Sequence, residues 1–243
     1  MRVSIVTISY NSSKTIKLTL DSVKNQTYKN TQHIIIDGGS NDDTVNICKK
    51  YSHIFRIISE KDKGVYNAFN KGLKLATGDI IGFLNSDDIF YDENSLKNIV
   101  KSFNKNTDAV YGNLNFYNDS GKVIRRWSSK PFIKGAFKKA WMPAHPTFYC
   151  KKKIYDKYGN YDETFRIAGD FELMLRFIET KKIRTRFINK NLIKMKAGGI
   201  SNSGLFSKIK ILKEEFKAFK INKIGVNKLS YLFNKGFKLK EFL

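Results

Sequence analysis

Residues 78–88 read GDIIGFLNSDD, with four apolar residues in five (Ile80, Ile81, Phe83 and Leu84) followed by the adjacent carboxylates Asp87 and Asp88. An apolar run of this length fits a strand buried on both faces, as in a parallel sheet. Such a strand ends in a turn, and no lysine or arginine stands among the immediate neighbours of the two carboxylates. Carboxylates side by side repel each other unless a positive charge lies beside them. At the carboxyl end of a buried strand, where open α/β sheets bind ligands, a hard divalent cation carrying phosphate oxygens answers that need. A solvated turn leading into a helix N-cap is the alternative reading of the same residues.

Upstream of this stretch, strand and helix signals alternate. A β-branched run at 3–8 precedes helical spacing over 14–24. The Ile34-Ile35-Ile36 run ends at Asp37, Gly38 and Gly39 and precedes a helix over 42–51. A third strand at 54–59 leads to a helix over 66–76 and then to the strand at 80–84. Connections this short suit parallel βαβ units. The pattern predicts an α/β fold, a doubly wound, Rossmann-like and mostly parallel central sheet with flanking helices.

Downstream the rhythm changes. The spacing predicts a helix over 95–103, a hairpin of 108–117 and 122–127 around Asp119-Ser120-Gly121, and a strand over 144–150. A helix follows over 168–180, with Phe171, Met174, Leu175 and Ile178 along one face. From Leu205 onward, Phe206, Ile209, Leu212, Phe216 and Phe219 recur at helical spacing. The expected division is a domain over 1–204, its two parts meeting near residue 100, and a basic amphipathic helical tail over 205–243.

The totals bound the possibilities. A chain of 243 residues with 41% hydrophobic content can build a sizeable core. No run of about 18 apolar residues offers a membrane span. The start, MRVSIVTISYN, reads as a strand and lacks the layout of a signal peptide. Two cysteines, Cys48 and Cys150, are too few and too far apart for a metal knuckle or disulfide framework. A reducing cytoplasm is the expected setting. The net charge of +23 is lopsided: residues 1–100 hold 13 Lys/Arg against 11 Asp/Glu, and residues 101–243 hold 32 against 11. Such a field attracts nucleic acid, an anionic lipid surface or a pyrophosphate-bearing substrate, and is equally consistent with a solvated basic surface.

A ligand site in this sheet must come from the loops at the strands' carboxyl ends. These carry Ser9, Tyr10 and Asn11; Asp37 to Asp43; Glu60, Lys61, Asp62, Lys63 and Gly64; and Asn85 to Asp88. The paired glycines beside Asp37 let backbone approach a ligand closely, while Asp42 and Asp43 read best as helix capping residues. No GxGxxG follows the first strand, which argues against a dinucleotide cofactor.

Five segments in order, SIVTISYN (4–11), IIIDGGSNDDT (34–44), the helix holding Lys63-Gly64, Asn67-Ala68 and Asn70-Lys71-Gly72, ATGDIIGFLNSDD (76–88) and AGDFELMLRF (168–177), resemble the family 2 glycosyltransferases. The resemblance covers roughly residues 1–200, and the ordered set is specific where any one motif is weak. It implies the nucleotide-diphospho-sugar transferase (GT-A) fold, with 1–100 binding a nucleotide-sugar and 101–204 the acceptor. The LNSDD form and the later HPTF (145–148) and GGIS (198–201) segments are similar to bacterial polysaccharide-assembly transferases.

That resemblance implies roles. Ser9, Tyr10 and Asn11 would hold the nucleoside with Asp37, which accepts a hydrogen bond from the base. Asp87 would lie near the ribose, and Asp88 would bind the Mg2+ or Mn2+ that bridges the diphosphate. Family members often carry Asp where this chain has Asn85, which leaves the metal few protein oxygens until substrate phosphates supply the rest. In an inverting transfer the acceptor hydroxyl attacks the anomeric carbon as the nucleoside diphosphate leaves. Asp170 matches the family's general base, although a carboxylate at a helix start is also a dipole partner. Glu172 stands as a second carboxylate two residues on. Lys63 and Arg176 are candidate cations for the leaving group, His145 and Trp141 candidates for the acceptor or diphosphate side, and Trp127 reads as core.

The implied partners are a nucleotide-sugar donor, with a uridine nucleotide as the family-level expectation, and a glycan acceptor on a lipid pyrophosphate carrier. Residues 206–243 hold ten Lys against three Glu. They could lie on an anionic membrane surface at the inner face of the cell membrane, or pack their apolar stripe on the domain. Two other readings compete: a basic nucleic-acid-binding protein, which lacks a recognisable binding motif, and a non-catalytic assembly partner of the same fold.

Overall fold

The computed structural model describes residues 1–118, 120–196 and 204–239. Its first half follows the expected alternation: β1 (Val3–Ser9), α1 (Ile16–Lys24), β2 (Thr31–Asp37), α2 (Thr44–Lys49), β3 (Ile54–Ser59), α3 (Val65–Leu75) and β4 (Ile80–Phe83). These strands pair in parallel in the order β3-β2-β1-β4. Ile5, Val6, Ile34, Ile35, Ile36, Ile80 and Ile81 have no exposed surface, as expected of strands covered on both faces. Polar residues within these strands are satisfied across them, Ser4 donating to Gln32 at 2.6 Å.

The second half consists of β5 (Asp88–Phe90), α4 (Ser95–Lys101), β6 (Ala109–Tyr117), β7 (Val123–Trp127), β8 (Tyr149–Lys151), α5 (Lys152–Tyr158), α6 (Gly169–Met174), β9 (Thr185–Lys196), α7 (Gly204–Ile221) and α8 (Lys228–Leu239). Among the described residues nine strands form one sheet, β3-β2-β1-β4-β8-β6-β9-β5, with β7 on β6. Beyond β4 the pairing is mixed: β6 and β9 run parallel, while β4–β8, β6–β8, β6–β7 and β5–β9 are antiparallel. Gly82 explains the break in the apolar run of β4. A Cβ there would sit 2.0 Å from the Tyr149 ring, so glycine lets the ring pass over the strand.

Two expectations need correction. Residues 144–150 are not one strand: a 3₁₀ turn over His145–Thr147 precedes the short β8, because Pro146 has no N–H to give to a ladder. The stretch after β4 is not simply a turn into a helix. It enters β5, which lies beside the end of β9 with Asp88 opposite Met195. The helix expected over 168–180 is α6 continuing in wider π turns through 175–180, with Phe171, Met174, Leu175 and Ile178 buried.

α7 docks on the domain. Phe219 meets Phe171 edge to face at 5.5 Å, and Tyr231 of α8 packs on Phe216 and Phe219. Glu214 of α7 accepts the backbone N–H groups of Arg166, Ile167 and Ala168 at 2.8–2.9 Å, immediately before α6 begins. On α8, Leu229 is 80% and Phe233 67% exposed. Among the described residues no helix is long and apolar enough to cross a membrane, and Cys48 and Cys150 are both buried and free.

The middle of β2 holds an acid-sensitive group. His33 is buried, with Nε2 2.9 Å from the Thr7 hydroxyl and Nδ1 3.2 Å from His53 Nε2. Burial, with repulsion from His53, pulls His33 down to about 3. A basic group whose folded pKa is depressed binds fewer protons folded than unfolded. Its contribution to stability is therefore lost as pH falls from its unfolded pKa of roughly 6.5 toward 3. Between pH 6.5 and pH 5 this amounts to about 2 kcal/mol at about 1.4 kcal/mol per unit, or roughly 4–8 °C in Tm. The Tm of His33→Gln should therefore fall less steeply over that interval than that of the unmodified chain. Equal slopes would remove His33 as the cause.

Candidate active site

The loops following β1, β2, β3 and β4 meet at the carboxyl edge of the parallel strands. Asp37 ties three of them together. Its carboxylate accepts from the hydroxyls of Ser9, Ser40 and Ser59 and from the N–H groups of Gly39 and Ser40. Burial alone would raise this carboxyl, but those donors outweigh it and hold Asp37 below the usual carboxylate range. Asn11, at φ 47°, accepts the Asn41 N–H at 2.9 Å and gives its own N–H to Ser40. The Ser12 and Ser86 hydroxyls, 2.8 Å apart, join the first loop to the fourth. Asp43 is the N-cap of α2 and makes no side-chain capping bond, while Asp42 before it accepts the N–H groups of Thr44 and Ser13.

This network corrects the role expected of Asp37. It has no exposed surface, and both carboxylate oxygens are committed to the loops, so it braces the site and offers nothing outward. Ser9 and Asn11 act in the same brace. Outside the brace stand Tyr10, which is 62% exposed, and Asp62, whose side chain is 12% exposed. A Cβ added at Gly38 would lie 3.4 Å from the Tyr10 ring and 3.2 Å from Asp62 Oδ2, so ring and carboxylate close on bare backbone there. Lys71 holds the other oxygen of Asp62 at 2.7 Å and also pairs with Glu60 at 2.8 Å. Asp62 is one of the strand-end loop residues named from the sequence, but between Lys61 and Lys63 it carries no signal of its own. The Lys63 side chain is exposed, while its carbonyl accepts from Arg166 Nη1 at 2.8 Å.

The pair that ends β4 is asymmetric. Asp87 is partly exposed. Burial raises its carboxyl, opposed by the charges of Lys196 and His145. Asp88 has no exposed surface. The Asn85 amide donates to its Oδ2 at 3.2 Å, and its Oδ1 has no partner. Burial first, and then the Asp87 charge, push Asp88 well above the usual range. A buried carboxylate oxygen without a partner, next to a second carboxylate, is a donor set that fits a hard cation. No group of three or more His, Cys, Asp or Glu comes together among the described residues. A cation here would therefore take most of its ligands from substrate and water, as Mg2+ does with phosphates.

Across the cleft, Asp170 stands in the first turn of α6. His145 Nδ1 lies 3.2 Å from Asp170 Oδ2, with the two side chains 28% and 22% exposed. The buried Tyr66 of α3 sets the backbone beneath: its hydroxyl accepts the Gly169 N–H at 2.6 Å and donates to the Ile167 carbonyl at 2.6 Å. Gly169 permits this approach, since a Cβ there would lie 2.6 Å from the Tyr66 ring. His145 thus lies 3.2 Å from Asp170 and its charge also acts on Asp87.

Three expected candidates lie elsewhere. Arg176 binds Glu172 through Nε at 2.9 Å and Nη2 at 3.1 Å, and donates to the carbonyls of Tyr158, Gly159 and Asn160. Glu172 is buried and also accepts from Asn222 of the tail at 3.1 Å. The pair is a structural tie and not a site element. Trp141 packs edge to face on Phe137 at 5.4 Å and on Tyr111 at 6.0 Å, as one wall of an aromatic cluster with Phe132. The GGIS segment lies outside the described residues. A crevice of about 450 Å³ between α3 and α5 contains none of the candidate residues, though Lys71, the partner of Asp62, lines it.

Comparison with known proteins follows this geometry. A family model described as Glycosyl transferase family 2 matches residues 4–169. The Escherichia coli protein named UDP-Glc:alpha-D-GlcNAc-diphosphoundecaprenol beta-1,3-glucosyltransferase WfaP is 34% identical over 209 residues, 82% of this chain and 79% of its own length. S. aureus TarS 1-349 in complex with UDP-GlcNAc superposes with a TM-score of 0.71 at 18% identity, covering 95% of this chain and 69% of that one. The mannosyltransferase PcManGT from Pyrobaculum calidifontis, in complex with GDP-Man and Mn2+, gives 0.69 at 18% identity over 97% and 69%.

Proposed function

This chain belongs to glycosyl transferase family 2, and on that premise we propose that it is an inverting, metal-assisted transferase. It moves a sugar from a nucleoside-diphosphate donor to a hydroxyl of a glycan carried on a lipid diphosphate, in bacterial surface polysaccharide assembly. The observation that carries the reading is the carboxylate pair Asp87 and Asp88 just beyond the buried parallel strand β4, with His145 acting on Asp87 and lying 3.2 Å from Asp170.

The Tyr10 ring and the Asp62 carboxylate receive the base. A carboxylate accepts from a ring N–H, which uracil, thymine and guanine carry at the edge that adenine and cytosine present as an acceptor. Asp87 takes the ribose side, and Asp88, with its unpartnered oxygen, is the protein ligand for Mg2+ or Mn2+. A bound divalent ion supplies charge neutralisation for the departing diphosphate. The acceptor oxygen gives its proton to Asp170, bonds to the anomeric carbon, and the bond from that carbon to the diphosphate oxygen breaks. Lys196, close to Asp87, adds positive charge on the leaving side. The WfaP name, which specifies a diphosphoundecaprenol-linked acceptor and UDP-Glc, supports the lipid-linked acceptor and the uridine donor.

The test is a thermal-shift panel of nucleoside diphosphates and their sugars with and without Mn2+, since a ligand bound only by the folded state raises Tm. UDP, dTDP or GDP compounds should raise Tm with Mn2+ present and lose the shift with EDTA, while ADP and CDP compounds leave it unchanged. A flat panel would return the chain to the non-catalytic reading, and equal shifts with ADP would remove Asp62 from base recognition.

The tail's place at a membrane is a further part of the proposal. α7 is occupied by the domain, and α8 turns Leu229 outward beside exposed Lys228, with Lys220 and Lys223 on the preceding turn. That arrangement suits an anionic leaflet. Flotation should show binding to vesicles containing phosphatidylglycerol and none to phosphatidylcholine alone; equal recovery with both would contradict it.

A further inference from the structure

We propose that His145 is a positioning residue for the transfer reaction, holding Asp170 by one carboxylate oxygen so that the other stays directed at the acceptor hydroxyl. The inference rests on the reading of Asp170 as the base. His145 Nδ1 lies 3.2 Å from Asp170 Oδ2, within reach of a proton that Nδ1 of the neutral ring would present to the carboxylate.

The placement of the ring is overdetermined by its turn. Pro146 restricts the backbone beside it. The single proton of the Thr147 hydroxyl has the Ala144 carbonyl at 2.7 Å and the Gly112 carbonyl at 3.1 Å as acceptors, and the oxygen receives the Gly112 N–H at 3.1 Å, which fastens the turn to β6. Behind it, the Ala144 N–H reaches the Ser129 hydroxyl at 3.3 Å, and Ser129 is held in turn by Asn113 at 3.0 Å. Asp170 comes from a different element, α6, whose start is set by Tyr66 and Glu214. Without a partner its carboxylate would rotate about its side-chain torsions, since the Tyr66 oxygen is 3.4 Å from Oδ1 and its proton is given to Ile167. The imidazole contact at 3.2 Å therefore holds the base between two independently braced elements. Among the described residues, the charged groups acting with His145 are Asp170 from α6 and Asp87 from the loop after β4. A carboxylate preset in this way loses less on reaching the transition state.

The experiment is a cycle of His145→Ala, Asp170→Asn and the double variant, with kcat and donor KM measured at saturating acceptor. His145→Ala should lower kcat about 10- to 100-fold, the worth of a hydrogen bond to a charged group, with donor KM within about twofold of the parent. In the Asp170→Asn background the same change should have no further effect, because a residue acting through Asp170 has nothing left to act on. The amide nitrogen of Asn can replace Nδ1 and that of Gln replaces Nε2, so His145→Asn should restore most of the rate and His145→Gln should not.

A rate within twofold of the parent in His145→Ala, with Asp170→Asn inactive, overturns the role of His145 and leaves the base in place. Full activity in Asp170→Asn overturns the base itself, and with it this inference. Rescue by Gln and not Asn, or a rise in donor KM alone, would assign His145 to the donor instead. If His145→Ala does not fold, the Asn and Gln variants, which retain a polar side chain, decide the question alone.

Discussion

Asp88→Asn should transfer at least 100-fold more slowly in the presence of Mn2+ and lose the Mn2+-dependent part of donor binding, while its thermal midpoint without metal stays at or above that of the parent. The two effects have one cause. Asp88 is an acid with no exposed surface, one unpartnered oxygen and a second carboxylate beside it. A buried group of that kind costs stability unless it is paired, and its neutral isostere does not carry the charge. Removing the carboxylate relieves that cost and also removes the protein's ligand for a divalent ion, whose charge stabilisation of the leaving diphosphate is worth several kcal/mol. That magnitude corresponds to two or more decades in rate. If Asp88→Asn instead melts early and keeps Mn2+-dependent donor binding, Asp88 is a structural acid, and the metal is held elsewhere or not needed.

The second large effect is at Asp170. Asp170→Asn should lower kcat by about 10²- to 10⁴-fold, the range for a general base, with donor binding and Tm close to those of the parent. Asn keeps the size of the side chain and its acceptor oxygen toward His145, so the backbone arrangement around Tyr66 has no reason to change. The loss should appear in kcat at saturating donor and acceptor, because the proton is transferred in the chemical step and not on binding. Near-parental turnover at saturation would exclude Asp170 as the proton acceptor.

The parallel half of the fold was legible because its signals are local. Ile34-Ile35-Ile36 and Ile80-Ile81 mark strands buried on both faces, and each is followed by glycine or acidic residues at the point where the sheet opens. The site was legible only where roles follow from position along the chain. Asp87, Asp88, Asp170 and Tyr10 stand at strand or helix ends and remain candidates. Asp37 stands at such an end too, but its five donors come from Ser9, Ser40, Ser59 and the backbone of residues 39 and 40. Two of those serines lie on other strands, so its saturation could not be read from its own loop. Arg176 and Glu172 looked like free charges near the base. Their spacing is that of an i,i+4 pair, but the three carbonyls that fix Arg176 come from residues 158–160, a contact made only by folding. Helical spacing in the tail was visible, whereas the bonds from Glu214 to the backbone ahead of α6 depend on where that helix docks.

The stereochemistry of the product tests the central claim most directly. A single displacement at the anomeric carbon, with Asp170 as base and no covalent sugar intermediate, inverts configuration. With a UDP-α-sugar donor and a GlcNAc-diphospholipid acceptor, the proton coupling constant of the new anomeric centre should report a β linkage. An α linkage would require a double displacement or a front-face path, and would contradict the role assigned to Asp170.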